Sequence, residues 1–211
     1  MGRPPGARNE GYFDKREEML QSLVPHLLQA APGALSLRRM AEGAGVSVST
    51  LRHYFGDRTG VLVAAYEHLH HMARPYLDDA ARVRGDDARV ELRRFLQGLT
   101  IAWKAHQVGR MHVLGLGEGL ADPRLGMAYV NDLLEPNVTT AERLLADLDD
   151  HGLLVVEDPR TAALALVGPV LLALLHQDPL HGDQCRPLDL AAYLDRHVEG
   201  FCQGYLPREV P

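Results

Sequence analysis

The chain is poor in the residues and runs that mark most function classes. Two cysteines, Cys185 and Cys202, in 211 residues cannot make a disulfide framework. The longest apolar stretch, Ala162 to Leu175, is interrupted by Gly168-Pro169 and falls short of the ~20 residues a membrane-spanning helix needs. A basic-then-apolar leader is missing, since Met1 to Asn9 is polar and proline-rich, and the expected location is the cytoplasm. There is no Gly-rich phosphate loop, GxSxG elbow, HExxH or CxxC, which argues against the common catalytic and redox chemistries. Eleven histidines include His68, His70 and His71, but no cysteine or carboxylate completes a tetrahedral set beside them. Neither a metal nor a cofactor is expected. No strand pattern or internal repeat stands out, so the fold class is all-α.

What is present is an ordinary globular composition, 46% hydrophobic and 24% charged, with a formal net charge of −6. That charge is unevenly spread. Residues 1–75 carry nine Lys/Arg against seven Asp/Glu, whereas residues 76–211 carry thirteen against twenty-one. An acidic body behind a mildly basic head stays soluble while offering one face to phosphates.

The densest signal lies in Ser36 to Arg58, SLRRMAEGAGVSVSTLRHYFGDR. Ser36 stands at an N-cap position, and Leu37, Met40 and Ala41 form one apolar helical face. Gly45 supplies the left-handed backbone that ends a helix, and Ser47 caps a second, short helix in which Leu51 and Phe55 face the core. Val48, Ser49, Thr50, Arg52, His53 and Tyr54 are left to face elsewhere. Helix, tight turn and short helix make a helix-turn-helix over about residues 36–56, whose second helix can enter a DNA major groove.

Around it, Asp14 to Ala31 shows an amphipathic stripe with Pro25 inside it, stopped by Pro32-Gly33, and Met1 to Gly11 reads as a flexible arm carrying Arg3 and Arg8. Asp57 caps a fourth helix through about Met72. Arg74-Pro75, then Arg84 to Asp87, are the boundary candidates, dividing a head at 1–75 from a body at 76–211. In the body, helical patterns cover Val90 to about His106, Met111 to Gly119, and Gly126 to Asp149 with a bend at Glu135-Pro136. They resume from Asp158-Pro159 to about His176 and from Leu188 to Gly204. The expected total is about nine helices. Ala163, Leu164, Leu166, Val167, Val170, Leu171, Leu174 and Leu175 cover more than one face, so that helix is either fully buried or shared with another subunit.

The string AEGAGVSVSTLRHYFGDRTGVL resembles the TetR family of bacterial transcriptional regulators. Ala41, Gly45, Val46, Ser47, Thr50, Leu51, Phe55 and Arg58 (for the usual lysine) fall in place. Arg52 stands where tyrosine is usual, Val48 where a polar or basic residue is common, and Gly56 where proline is frequent. These departures touch exposed reading positions and leave the packing positions intact.

The resemblance implies a sequence-specific regulator, most often a repressor, that binds a palindromic operator as a dimer. It places Val48, Ser49, Thr50, His53 and Tyr54 at the groove, Arg38 within reach of a base, and Arg58 on a phosphate. Arg52 could pair with guanine as arginine commonly does, without a family precedent. Ser36 and Ser47 serve as caps first and DNA contacts second, and lone arginines are commonly solvated surface charges.

It further implies a small-molecule effector pocket in the body and a homodimer formed by the last two long helices. The polar and aromatic candidates for that pocket are Trp103, His106, Met111, His112, Glu118, Tyr129 and His176, each of which could equally be a satisfied core or surface residue. A helical enzyme or a protein-interaction module using the body remains the alternative, without a catalytic motif to support it.

Overall fold

The computed structural model describes residues 10–30 and 34–207. The arm residues before Glu10 and the Pro32-Gly33 stop lie outside the described residues. Among those described, eleven α-helical segments and one π-helical turn follow one another, with no strand. They are α1 (Glu10–Gln29), α2 (Leu37–Gly43), α3 (Val48–Phe55), α4 (Arg58–Ala80), α5 (Ala88–Ala105), α6 (Val108–Gly119), α7 (Pro123–Tyr129), α8 (Glu135–Asp150), α9 (Pro159–Gln177), α10 (Gly182–Cys185) and α11 (Leu190–Tyr205). The turn Val130–Leu134 joins α7 to α8 without a break. With that run counted once and the single turn α10 set aside, the nine expected helices are recovered.

Capping side chains set most starts. The hydroxyl or carboxylate of Ser36, Ser47, Asp57, Asp87, Asp122, Asp158 and Asp189 accepts from a backbone N–H in the first turn of α2, α3, α4, α5, α7, α9 and α11. The end of α2 is a Schellman turn. Gly45 takes φ +65°, Val46 N donates to Ala41 O at 2.9 Å, and Gly45 N donates to Glu42 O at 3.1 Å. That turn swings the chain sharply into α3.

Pro25 in α1 and Pro169 in α9 lie inside their helices, as the patterns had them, and so does Pro75 in α4, which was a boundary candidate. Each deprives the carbonyl four residues earlier of a partner. Those residues, Gln21, His71 and Ala165, are all exposed, so water can satisfy the carbonyl. Arg74-Pro75 is therefore no break, and α4 runs past Met72 to Ala80. Pro136 is absorbed differently. The π-helical turn lets Glu135 N donate to Val130 O, and the helix continues.

Two apolar cores result. One joins α5, α8, α9 and α11 through Leu92, Phe95, Leu144, Leu148, Leu166, Val170 and Val198. The other is centred on the head, with Met19, Leu23, Leu27, Met40, Leu51, Leu62 and Tyr66, and takes in Met111, Leu114, Leu125 and Tyr129 from α6 and α7. The head thus shares its core with α6 and α7 of the body. Leu51 is fully buried as expected, whereas Phe55 is only half-buried. Helix α9 is the one described helix long and apolar enough to cross a membrane by length and composition alone. Ala162, Leu166, Val170 and Leu174 form its buried face, while Leu164 and Leu172 stand 47% and 67% exposed on the other.

Candidate nucleic-acid interface and interior aromatic site

Helix α3 is held from one side only. Leu51 anchors it, and Ser49, Arg52 and His53, three and four residues apart, form an exposed stripe on its solvent side. Ser47 Oγ accepts from Thr50 N at 3.0 Å and lies 2.8 Å from both Ser49 Oγ and Thr50 Oγ1, so a hydroxyl cluster sits at the N-terminus of the helix. The unpaired N–H groups and partial positive charge of that end suit a phosphate oxygen. Val48, Thr50 and Tyr54 are half-buried.

Ser36 is exposed and caps α2 through Arg39 N at 3.3 Å. Arg38 is 84% exposed and pairs with Glu42 at 3.0 Å, a surface contact worth little and easily exchanged. Arg52 has no ion pair among the described residues.

Arg58 is placed elsewhere than its phosphate-contact expectation. Its Nε donates to Leu35 O at 2.5 Å, and its Nη2 lies 2.6 Å from Glu118 Oε1, with side-chain exposures of only 30% and 14%. The guanidinium is spent on the junction between head and body. Glu118 is thereby paired with the head, and its carboxylate also lies near enough to Tyr66 to raise that phenol.

Inside the body the aromatic candidates do assemble. The Trp103 ring of α5 stacks on His112 of α6, centroids 5.1 Å apart at 18°. His112 Nδ1 is 2.9 Å from the Tyr129 hydroxyl of α7, one hydrogen bond whose donor follows the imidazole tautomer. The Tyr129 ring in turn meets Tyr66 of α4 edge-on at 6.3 Å. Tyr66 donates its hydroxyl proton to Met111 O at 3.1 Å, and Trp103 Nε1 donates to Asp178 Oδ2 at 2.8 Å.

Glycines let these rings lie directly on α6. A Cβ on Gly109 would sit 2.6 Å from Trp103 Cε2, and one on Gly115 would collide with the Tyr129 ring. Burial pushes His112 down to about 4, so the imidazole is neutral near pH 7, and pushes Tyr129 up to about 12 and Tyr66 higher still. A neutral, hydrogen-bonded aromatic column with four polar heads is the result.

His106 and His176 fall outside this column. His106 is exposed at the end of α5, tilted against Tyr76 at 6.4 Å, and His176 is exposed beside Gln177, whose Nε2 is 2.7 Å from its Nδ1. Sequence reasoning missed Tyr66 and Asp178, the two outer partners. Tyr66 was concealed on a helix assigned to the head, and Asp178 in a loop that carries no periodicity. Among the described residues no group of three or more His, Cys, Asp or Glu could hold a metal ion.

The fold is that of TetR-family transcriptional regulators. A regulator of that family from Mesorhizobium loti superposes with a TM-score of 0.77 at 17% identity, over 94% of this chain and 100% of that one. One from Rhodococcus sp. gives 0.67 at 21% identity, over 90% and 98%. The transcriptional regulator FadR of Bacillus subtilis, solved in complex with stearoyl-CoA, gives 0.68 at 15% identity, over 89% and 97%. Neither a protein-family model nor a curated protein matches the sequence.

Proposed function

We propose that the chain is a sequence-specific DNA-binding transcriptional regulator, and a repressor, acting in the cytoplasm as a dimer on a palindromic operator. The observation that carries this is α3: a short helix capped by Ser47, anchored by Leu51, and lined outward by Ser49, Arg52 and His53. Within the head, residues 1–75, Ser49, Thr50 and His53 meet phosphates and base edges. Arg38 and Arg52 are the guanine readers, and Val48 and Tyr54 flank them.

A second copy covers the exposed Leu164 and Leu172 of α9, with α11 beside it, and sets two heads on half-sites about 34–36 Å apart or a multiple of that spacing. A small-molecule effector acts within the body, residues 76–211, at the column of Trp103, Met111, His112 and Tyr129, which reaches the head through Tyr66. The solved neighbours bound to stearoyl-CoA and to triclosan support a ligand-responsive body in this fold.

The test is selection of bound duplexes from a random pool. An enriched palindrome is expected. A pool that stays random after several rounds, at salt low enough to hold basic proteins on DNA, rejects the reading.

A further inference from the structure

Beside α3, on the first turns of α1, lies an aromatic cluster that the helix-turn-helix pattern does not include. The Tyr12 ring stacks on Tyr54, centroids 4.6 Å apart at 24°, and meets His53 edge-on at 6.2 Å. His53 and Tyr54 are themselves edge-to-face at 5.1 Å and 89°. The Tyr12 hydroxyl reaches Tyr54 O at 3.4 Å, one of the last carbonyls of α3, which lack a partner within the helix. One turn further along α1, Arg16 lies over the Phe55 ring at 5.2 Å and pairs with Glu67 of α4 at 3.2 Å. Helix α3 is held by its own cap and by Leu51, and at its C-terminal end Tyr12 and Arg16 of α1 add contacts to the rings of Tyr54 and Phe55.

From this we infer that Tyr12 is a positioning residue for the duplex-reading surface. Its ring fixes the orientation of His53 and Tyr54, so α1 governs how the last turns of α3 meet a duplex. A free histidine and tyrosine at the end of a short helix would sample several rotamers, and each binding event would have to freeze them. Stacked and edge-to-face ring contacts restrict those rotamers before DNA arrives, which raises affinity without adding a contact. Tyr12 acts through its neighbours and need not touch DNA. The inference rests on the DNA-binding reading above and goes past it by making a residue outside the motif part of its geometry.

The experiment measures binding to a fluorescein-labelled random-sequence duplex at low salt. It compares the wild type, Tyr12→Ala, Tyr12→Leu, Tyr12→Phe, His53→Ala and the double variant Tyr12→Ala/His53→Ala. Tyr12→Ala and Tyr12→Leu should bind about three- to tenfold more weakly, the scale of one aromatic pair, and Tyr12→Phe should stay within about twofold because the stack survives. Tyr12→Leu keeps an apolar filler, so it reads the ring separately from the fold of the head. Once Tyr12 is alanine, His53→Ala should cost little more. In the absence of DNA, the His53 ring-proton resonances should move in Tyr12→Ala and hold in Tyr12→Phe. Unchanged affinity in both Tyr12→Ala and Tyr12→Leu, or losses that simply multiply in the double variant, overturn the inference while the regulator reading stands. A wild type that binds no duplex overturns both.

Discussion

The Arg58 guanidinium and the Glu118 carboxylate, 60 positions apart, meet at 2.6 Å and tie the first turn of α4 to the last turns of α6. Two neighbours reinforce the seam. Thr59 donates to Asp122 at 2.8 Å, and Arg124 reaches Asp57, the cap of α4, at 3.0 Å. The first turn of α4 is therefore bonded to the helix that carries His112.

If Arg58 serves this seam and not a phosphate, Arg58→Met and Glu118→Gln should behave alike. Each should lower stability by about 1–3 kcal/mol, the scale of a hydrogen bond to a charged group, seen as a drop of several degrees in melting temperature. The slope of log affinity for duplex against log salt should not change in Arg58→Met. A slope shallower by about 0.9 would instead mean that a phosphate contact had been lost.

His112 makes stability depend on pH. Its value of about 4 in the folded protein lies below the ordinary histidine value near 6.5, so between those limits the unfolded chain binds more protons. The stabilisation is complete above about pH 6.5 and falls away as pH drops towards 4, by about 2 kcal/mol at pH 5. The lowered carboxylates of Asp57, Asp122 and Glu135 lose their contribution only as pH falls through their ordinary values of 3.8 to 4.5 and beyond, below the range of the melts. Thermal melts from pH 7.5 to 5 should show the loss, and His112→Phe should flatten it. Parallel curves for the two proteins would exclude His112 as the source.

Gly109→Ala should destabilise the body by about 1–3 kcal/mol, because the new methyl meets the Trp103 indole with no room to relax. Trp103 is the only tryptophan, so its fluorescence reports the displacement directly. An unaltered emission spectrum together with an unaltered melting temperature would show that the indole does not rest on Gly109.

Leu172 is 67% exposed on α9, and a charge there should cost the monomer little. Leu172→Glu should shift a dimer to a monomer in light scattering at micromolar protein and weaken operator binding with it. A variant that remains dimeric would remove this face of α9 from the interface.

How far the chain was legible depended on range. The start of α3 was readable because Ser47 and Thr50 are three residues apart and their bond is local. The turn before it was readable because only glycine takes φ +65° without strain at position 45. Pro75 misled, since whether a proline ends a helix depends on whether the freed carbonyl can meet water, which periodicity does not reveal. The interior candidates were chosen for being polar or aromatic in apolar helices. That criterion found Trp103, His112 and Tyr129 but equally took in His106 and His176, which the fold leaves on the surface.

Read alone, the chain prescribed its helices, their caps and the motif at residues 36–56, because each rests on bonds and steric limits spanning a handful of positions. Only three-dimensional packing decided that Arg58 turns to Glu118, that Tyr66 and Asp178 close the ends of the aromatic column, and that Tyr12 leans on Tyr54. Those partners stand 60, 45, 75 and 42 residues apart. Nothing in local sequence brings them together; the burial of two apolar cores does.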